Sequence, residues 1–359
     1  MRAVVYDAVG AAPRFTEVAP PECPADGALI DVRATGVCRS DWHAWRGHDP
    51  VPLPHIPGHE FAGVVAAASP RVRSFAVGDR VTSPFVNGCG RCDWCRTGQA
   101  QVCPDQTQPG FTHPGSFAEL VAVRAADLNL VALPDGIDFV AAAALGCRFA
   151  TAYRAVAVQG RVSAGEWVAV YGCGGVGLSA VMIAVALGAR VVAVDPSPAA
   201  RQRAAELGAE ATAEVVGMGS HSKGAEVVGL GAQSKASLED ITGGGVHVAI
   251  DAVGSAGTAE AAVRGLRRRG RHVQVGLMLG DDARAPLPWD LVVARELEVA
   301  GSHGMAAADY PPMLAMVTDG RLRPDLLVGA VIPLERAGAA LMAMDDPVAR
   351  TAGITVATR

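Results

Sequence analysis

The sequence predicts an α/β chain of two domains, a doubly wound parallel sheet in the second half and a β-rich domain in the first. Three observations carry this expectation. A buried-type strand, a glycine turn, an apolar helix and a second strand succeed one another from Trp167 to Asp195. The first half alternates short apolar runs with Gly/Pro clusters, and four cysteines crowd between Cys89 and Cys103.

At 359 residues and 50% hydrophobic content the chain can bury a large core and is expected to split in two. Its net charge of −5 gives no electrostatic reason to bind nucleic acid. The one basic cluster, Arg267, Arg268, Arg269 and Arg271 around Gly270, follows a helical run, where cations and a glycine are expected to cap the helix C-terminus. The opening MRAVVYDAVG alternates like a strand and has no charged segment followed by an apolar run, so a cytoplasmic protein with reduced thiols is expected.

In the second half, Trp167–Tyr171 (WVAVY) leads into Gly172, Gly174 and Gly177, a G-x-G-x-x-G turn with strand before and helix after. The first glycine makes the tight turn, the second lets a pyrophosphate approach the backbone, and the third lets helix pack on strand. This context also answers the apolar run Val176–Val194, which a window scan would flag as membrane-spanning: it is helix plus strand of one βαβ unit. Asp195 lies 18 residues after Gly177, at the end of the second strand, where a carboxylate can accept the ribose hydroxyls of an adenosine. A 2′-phosphate would meet a like charge there, and Pro196 and Ser197 bring no arginine to offset it, so NAD is expected over NADP. Further short strands at Val246–Asp251, His272–Gly276 and Leu297–Ala300 extend one domain from about Gly160 to Gly301.

The first half carries candidate strands at Ala28–Arg33 and Phe61–Ala66 and a proline-rich loop, Pro50–Pro57. Cys38 and Asp41–His43 precede Gly58-His59-Glu60, and a thiolate and an imidazole with a carboxylate nearby suit an open zinc site, for which Cys147 is a third candidate ligand. A single buried cysteine or histidine is more often packing than ligation; three separated candidates beside a nucleotide domain shift that balance. The lobe Cys89, Cys92, Cys95 and Cys103 has the spacing C-x2-C-x2-C-x7-C, which closes a tetrahedral, structural zinc shell. The iron–sulfur alternative that Pro104 brings to mind needs a last gap of three and a second cysteine run, and neither is present.

Taken together, GVCRSDWHAWRGH (Gly36–His48), PGHEFAGVV (Pro57–Val65), the lobe with GFTHPGSFAE (Gly110–Glu119), LGCRFATAY (Leu145–Tyr153) and YGCGGVG (Tyr171–Gly177) resemble the zinc-dependent alcohol dehydrogenases of the medium-chain dehydrogenase/reductase family. The likeness is strongest to its microbial, tetrameric branch. It implies a GroES-like catalytic domain over 1–152 with the zinc lobe at about 86–106, a Rossmann NAD-binding domain over 153–301, and a C-terminal return over 302–359. It implies two zinc ions per chain, with Cys38, His59 and Cys147 as catalytic ligands and Glu60 able to approach the metal during ligand exchange. Asp41 matches the carboxylate that orients the ligating histidine, and Ser40 and His43 match a proton relay from alcohol to solvent. Arg39 matches a pyrophosphate contact and Thr151 a residue beside the nicotinamide. Gly175, Val176, Val253, Val275 and Leu277 join the cofactor contacts, and Phe85 and Trp45 the substrate pocket.

The implied activity is reversible oxidation of a primary or secondary alcohol to aldehyde or ketone by hydride transfer to NAD. A polyol or formaldehyde-type dehydrogenase is the alternative within the family, and a non-catalytic NAD-binding regulator the alternative outside it. A homo-oligomer, tetramer before dimer, is implied, with a small-molecule substrate and no membrane or nucleic-acid partner. Two positions depart from the family pattern: Ala200 stands where a cation is common, and Arg350–Gly353 matches a phosphate-facing arginine only loosely. Cys23 and Cys173 read as incidental thiols. Trp42, Trp289 and His303 are further apolar-pocket candidates. Residues 213–224 and 225–236 form a tandem repeat, eight of twelve positions identical, holding both lysines of the chain. A surface loop without catalytic duty is expected there, or else an extension of a strand or helix.

Overall fold

The computed structural model describes residues 1–216, 226–230, 235–346 and 353–359. Contacts divide the chain into two compact units, Met1–Ala150 with Gly304–Arg359, and Thr151–His303.

The second unit is built on an eight-stranded sheet. Six strands run parallel in the spatial order Ala211–Val216, Arg190–Val194, Trp167–Tyr171, Val246–Asp251, Leu266–Gln274, Glu298–Gly301. In chain order that is 3-2-1-4-5-6, the doubly wound arrangement, with its switch point beside the central strand Trp167–Tyr171. All five residues of that strand are buried, as its unbroken apolar sequence requires of a strand covered on both faces. The helix Gly175–Ala186 and the strand Arg190–Val194 account for the apolar run, and among the described residues no helix is long and apolar enough to cross a membrane.

One sequence expectation is corrected here, and one of the two left open for the repeat is met. Arg267, Arg268, Arg269 and Arg271 lie in the strand Leu266–Gln274; the preceding helix, Ala256–Arg264, ends at Gly265, and Arg264 is the cation in its last turn. The described residues of the repeat extend the sheet, as the strand alternative expected. The AEVV of the first copy completes the third parallel strand, and Glu226, Val227 and Val228 of the second copy open the strand Glu226–Leu230, antiparallel to it from Ala213↔Gly229 to Val216↔Glu226. Lys235–Ser237 adds one more antiparallel strand. Duplicating a valine-containing strand duplicates its β-propensity, and the open edge of the sheet offers a ladder for the second copy. Residues 217–225 and 231–234 of the repeat, and Arg350, lie outside the described residues.

The first unit wraps a seven-stranded sheet around the ten-residue strand Ala28–Val37. This strand runs four residues past its expected end and pairs antiparallel with Glu60–Ala68, from Ala28↔Ala68 to Gly36↔Glu60. The second strand thus starts one residue after His59, and the first stops one residue before Cys38, so the ladder itself brings these two positions to the same end of the sheet. The C-terminal strand Ile354–Thr358 flanks Ala34–Val37 on the other side. Beneath lies a core that includes Val4, Tyr6, Trp45, Phe117 and Leu341.

The glycine turn of the second unit follows the sterics read from sequence. Gly172 sits at φ +86°, and a Cβ at Gly177 would lie 1.6 Å from the Gly172 carbonyl oxygen, whereas a Cβ at Gly174 would meet nothing within 4 Å. Gly177→Ala is therefore expected to cost about 3 kcal/mol or more in urea unfolding, and Gly174→Ala to change stability by less than about 1 kcal/mol.

Candidate metal centre and nucleotide loop

Cys38 leaves the strand Ala28–Val37 in an extended conformation and caps the helix Arg39–Trp45. Asp41, in the first turn of that helix, points its carboxylate back: Oδ2 accepts the Cys38 backbone N–H at 3.1 Å, and Oδ1 accepts the Gly58 N–H and His59 Nδ1, both at 2.9 Å. With Nδ1 occupied, the other ring nitrogen of His59 is its free donor to the site, and Nε2 is buried without a hydrogen-bond partner. Cys147 arrives on a wide i→i+5 turn, Leu145–Phe149, an irregular helical turn of the kind frequent at functional sites. The Tyr310 hydroxyl braces this turn by donating to the Gly146 and Leu145 carbonyls at 3.3 and 3.4 Å.

One ligand atom from each of Cys38, His59, Glu60 and Cys147 lies within 4.8 Å of the others. Glu60 is tied down by Arg148, whose backbone N–H and Nε donate to Oε1 at 2.9 and 3.0 Å and whose Nη2 donates to Oε2. Two thiols and an orphaned imidazole nitrogen thus remain as donors. This set fits a zinc ion with three protein ligands and one open position, and the Asp41–His59 bond is the usual support of a metal-bound imidazole.

The charges in the pocket are set by the same neighbours. A hydrogen bond from Cys147, aided by Arg148 and His59, draws the Cys38 thiol well below its ordinary value against the cost of burial. Cys147, giving that hydrogen bond, is pushed well above its own. Burial opposes a charged His59, yet Asp41 and Cys38 outweigh it and raise its pKa. Burial likewise raises Glu60, with Arg148 pulling the other way. Zinc requires both thiols as thiolates and a neutral imidazole, so its binding to this set releases protons.

The cysteine lobe is a separate cluster in which the four sulfurs again converge within 4.8 Å. Cys92 Sγ stands 3.5 Å from Cys95 Sγ and 3.7 Å from Cys103 Sγ, too far for disulfides, and all four are free thiols. A tetrahedron with zinc–sulfur bonds of about 2.3 Å has edges near 3.75 Å, so the spacing fits a closed zinc shell. The Arg91 backbone N–H lowers the Cys89 thiol to about 6, the direction that favours the thiolate a metal needs.

Residues 24–135 match the alcohol dehydrogenase GroES-like domain and residues 175–319 the zinc-binding dehydrogenase domain. An alcohol dehydrogenase of Geobacillus stearothermophilus is 35% identical over 328 residues, 90% of each chain. The chain belongs to the zinc-dependent alcohol dehydrogenases of the medium-chain dehydrogenase/reductase family. Solved structures agree. The alcohol dehydrogenase from Thermus sp. ATN1 superposes with a TM-score of 0.87 at 30% identity over 100% of this chain and 99% of its own. An NAD-dependent alcohol dehydrogenase gives 0.84 at 29% over the full length of both.

Around the three donors the zinc-dependent dehydrogenase sets aromatic walls. Phe85 stands edge-on to the His59 ring at 6.1 Å and Phe111 is tilted against it at 5.1 Å. Ser40 Oγ is 3.9 Å from Cys38 Sγ, and His43 follows one helical turn later. Arg39 stacks over the Trp42 ring at 4.5 Å and donates to the Met344 carbonyl at 3.0 Å. Trp42 donates to Asp345. Trp45, expected in the substrate pocket, is a core residue: it is 4% exposed, packs with Val4, Tyr6 and Phe117, and donates its indole N–H to Ala11. Its aromatic bulk and helical position three residues after Trp42 turn it to the buried face.

In the second unit, Asp195 accepts from the Cys173 and Ser197 backbone N–H groups at 2.7 and 2.8 Å, which fixes the carboxylate at the mouth of the glycine turn. Arg201 is spent on the Asp195 carbonyl and on Glu214 at 3.7 Å. Val275 is anchored through its N–H to Asp251, while Val253 and Leu277 present exposed apolar side chains. The Thr151 hydroxyl is buried and finds no hydrogen-bond partner among the described residues. Trp289 is 59% exposed, and the Cys173 thiol is held at about 12 by burial and Asp195.

Four residues at the site escaped sequence reasoning: Arg148, Tyr310, Phe111 and His48. Only Arg148, adjoining Cys147, had a local signal. Arg148→Met leaves Glu60 buried and uncompensated and is expected to cost about 3–5 kcal/mol, most of it recovered when Glu60→Gln is added. A double-mutant cycle in urea measures this. Elemental analysis should give two zinc ions per chain, falling to one in Cys103→Ser.

Proposed function

We propose that this chain oxidises a small primary or secondary alcohol to its aldehyde or ketone, and runs the reverse reduction, with NAD as the hydride carrier. The observation that carries the reading is the buried donor set Cys38, His59 and Cys147, with His59 Nε2 lacking any other partner. Zinc, when bound there, supplies a Lewis acid that makes the substrate hydroxyl acidic, and NAD, when bound, accepts the hydride from the carbinol carbon. The protein does the rest. Asp41 fixes the His59 tautomer, and Arg148 keeps Glu60 out of the donor set. Phe85 and Phe111 wall the site with apolar surface, which favours an apolar substituent on the substrate.

Ser40 takes up the hydroxyl proton and His43 passes it toward solvent. His43 suits that task because burial foremost, then His48 and Arg39, lower its pKa and keep it neutral and receptive at neutral pH. In the second unit Gly172, Gly174, Gly175, Val176 and Gly177 form the pyrophosphate turn, Asp195 takes the adenosine ribose, and Thr151, Val253, Val275 and Leu277 line the cofactor path. The engagement of Arg201 with Glu214 keeps the nearest described arginine from offsetting the repulsion between a 2′-phosphate and Asp195. The same reading takes the working form to be a cytoplasmic homo-oligomer, tetramer before dimer, which light scattering tests.

Cys38→Ser and His59→Ala are expected to lose one zinc and nearly all turnover, with the lobe zinc retained; full turnover in either sinks the donor-set assignment. A panel of alcohols with NAD, followed by absorbance of the reduced cofactor, identifies the substrate. In that assay kcat/KM with NAD should exceed that with NADP by roughly tenfold or more, about 1.4 kcal/mol of like-charge discrimination.

A further inference from the structure

The C-terminal turn of the helix Arg39–Trp45 does more than end the helix. Gly47 adopts φ +76°, its N–H bonds the Ala44 carbonyl at 3.0 Å, and the His48 N–H bonds the His43 carbonyl at 2.9 Å. This is the paired 5→2 and 6→1 pattern of a Schellman cap, which brings the side chain one residue beyond the glycine against the one four residues before it. In such caps that contact is frequently apolar. Here it joins two imidazoles, with His43 Nδ1 and His48 Nδ1 3.1 Å apart. A side chain at residue 47 would be strained by that φ and would sit 2.9 Å from Val9 Cγ1.

Two Nδ1 atoms at hydrogen-bonding distance have room for one proton between them, so one ring donates and the other accepts. His43 is half-buried and His48 exposed. Trp42 stands edge-on to both rings, at 4.9 and 5.3 Å, and contributes no titratable group. The charges acting on His43 besides His48 are Arg39, Cys38 and Asp49. With Nδ1 of His43 committed to His48, Nε2 is the nitrogen left to face the reaction, and with Nδ1 of His48 committed to His43, its Nε2 is left to water.

We propose that His48 is the outlet of the proton path, a residue acting through His43 that both holds the His43 ring and carries its proton to solvent. This rests on the relay role given to Ser40 and His43 above. A proton arriving at His43 Nε2 forms an N–H bond there; the His43 Nδ1–H bond breaks as the proton moves to His48 Nδ1, and His48 releases its Nε2 proton to water. One proton enters and one leaves, and no electrons are transferred. Carbonyl reduction runs the hand-over backwards, and between turnovers the tautomers reset by exchange of imidazole N–H protons with water, fast against a typical turnover of about 10 per second.

The test uses the zinc-loaded enzyme with NAD and ethanol, or the best alcohol of the panel, from pH 5.5 to 10, on wild type, His48→Gln, His48→Ala and His43→Gln. Zinc content and the unfolding midpoint of each variant are measured alongside, and the exposed position of His48 predicts both unchanged in its variants. His48→Gln is expected to lower kcat about fivefold to tenfold below pH 7, with KM for alcohol little changed and the deficit closing above pH 9. Added imidazole, which also competes for the open zinc position in every variant, should raise the rate of His48→Ala relative to wild type at the same imidazole concentration. Independently of turnover, ring-nitrogen NMR should show the His43 titration moving in His48→Gln. The proposal is overturned if the His48 variants superimpose on wild type in pH profile and in His43 titration while His43→Gln loses rate. If His43→Gln also keeps full rate, the relay reading itself fails.

Discussion

The carboxylate of Asp41 is the constraint on which the catalytic unit turns. It holds three partners from two segments: the Cys38 N–H at the mouth of a helix, and the Gly58 N–H and His59 Nδ1 before the next strand. Each is buried, so each would leave an unsatisfied group if the carboxylate moved, at about 1–3 kcal/mol apiece. One side chain thus fixes the direction of a helix, the entry of a strand and the tautomer of a ligand. The ladder between Ala28–Val37 and Glu60–Ala68 brings Cys38 and His59 close; Asp41 converts closeness into aim.

A second layer of the same logic surrounds the third donor. Cys147 sits on an irregular turn that no regular ladder holds, and the chain compensates with Tyr310 beneath its carbonyls and Arg148 clamping Glu60 beside it. Arginine suits this clamp because its planar fork meets both carboxylate oxygens at once, and its backbone N–H supplies a third bond. The pocket therefore contains a carboxylate near the donors whose two oxygens are already engaged by Arg148.

Much of this was legible in the sequence, for reasons of spacing. The glycine turn, its flanking strands and the cysteine lobe are local patterns whose chemistry needs those residues at those intervals; Cys38, His59 and Cys147 stand far apart and were read together through the family motifs around them, and the structure brings each group together. What was not legible depends on faces and on partners far along the chain. Trp45 looked like a pocket aromatic because helix phase relative to the core cannot be fixed over seven residues. Tyr310 lies 163 residues from Cys147, and nothing in its own surroundings announces that its hydroxyl meets that turn. The repeat carried strand propensity in both copies, but whether a duplicated segment loops out or pairs depends on a free sheet edge, which is a property of topology. The arginine cluster misled because a glycine after a helix and a glycine within a bulged strand read alike.

The glycine turn and the helix cap share a less visible property: their design is stored in atoms that are not there. Gly177 and Gly47 make no side-chain contact, so a census of interactions would rank them as empty, yet at each the neighbouring atoms occupy the space a methyl group would take. Such positions invert the usual link between contact and constraint. A survey of tolerated substitutions across this chain would find them as unforgiving as the metal donors, and a search for functional residues by proximity would pass over them.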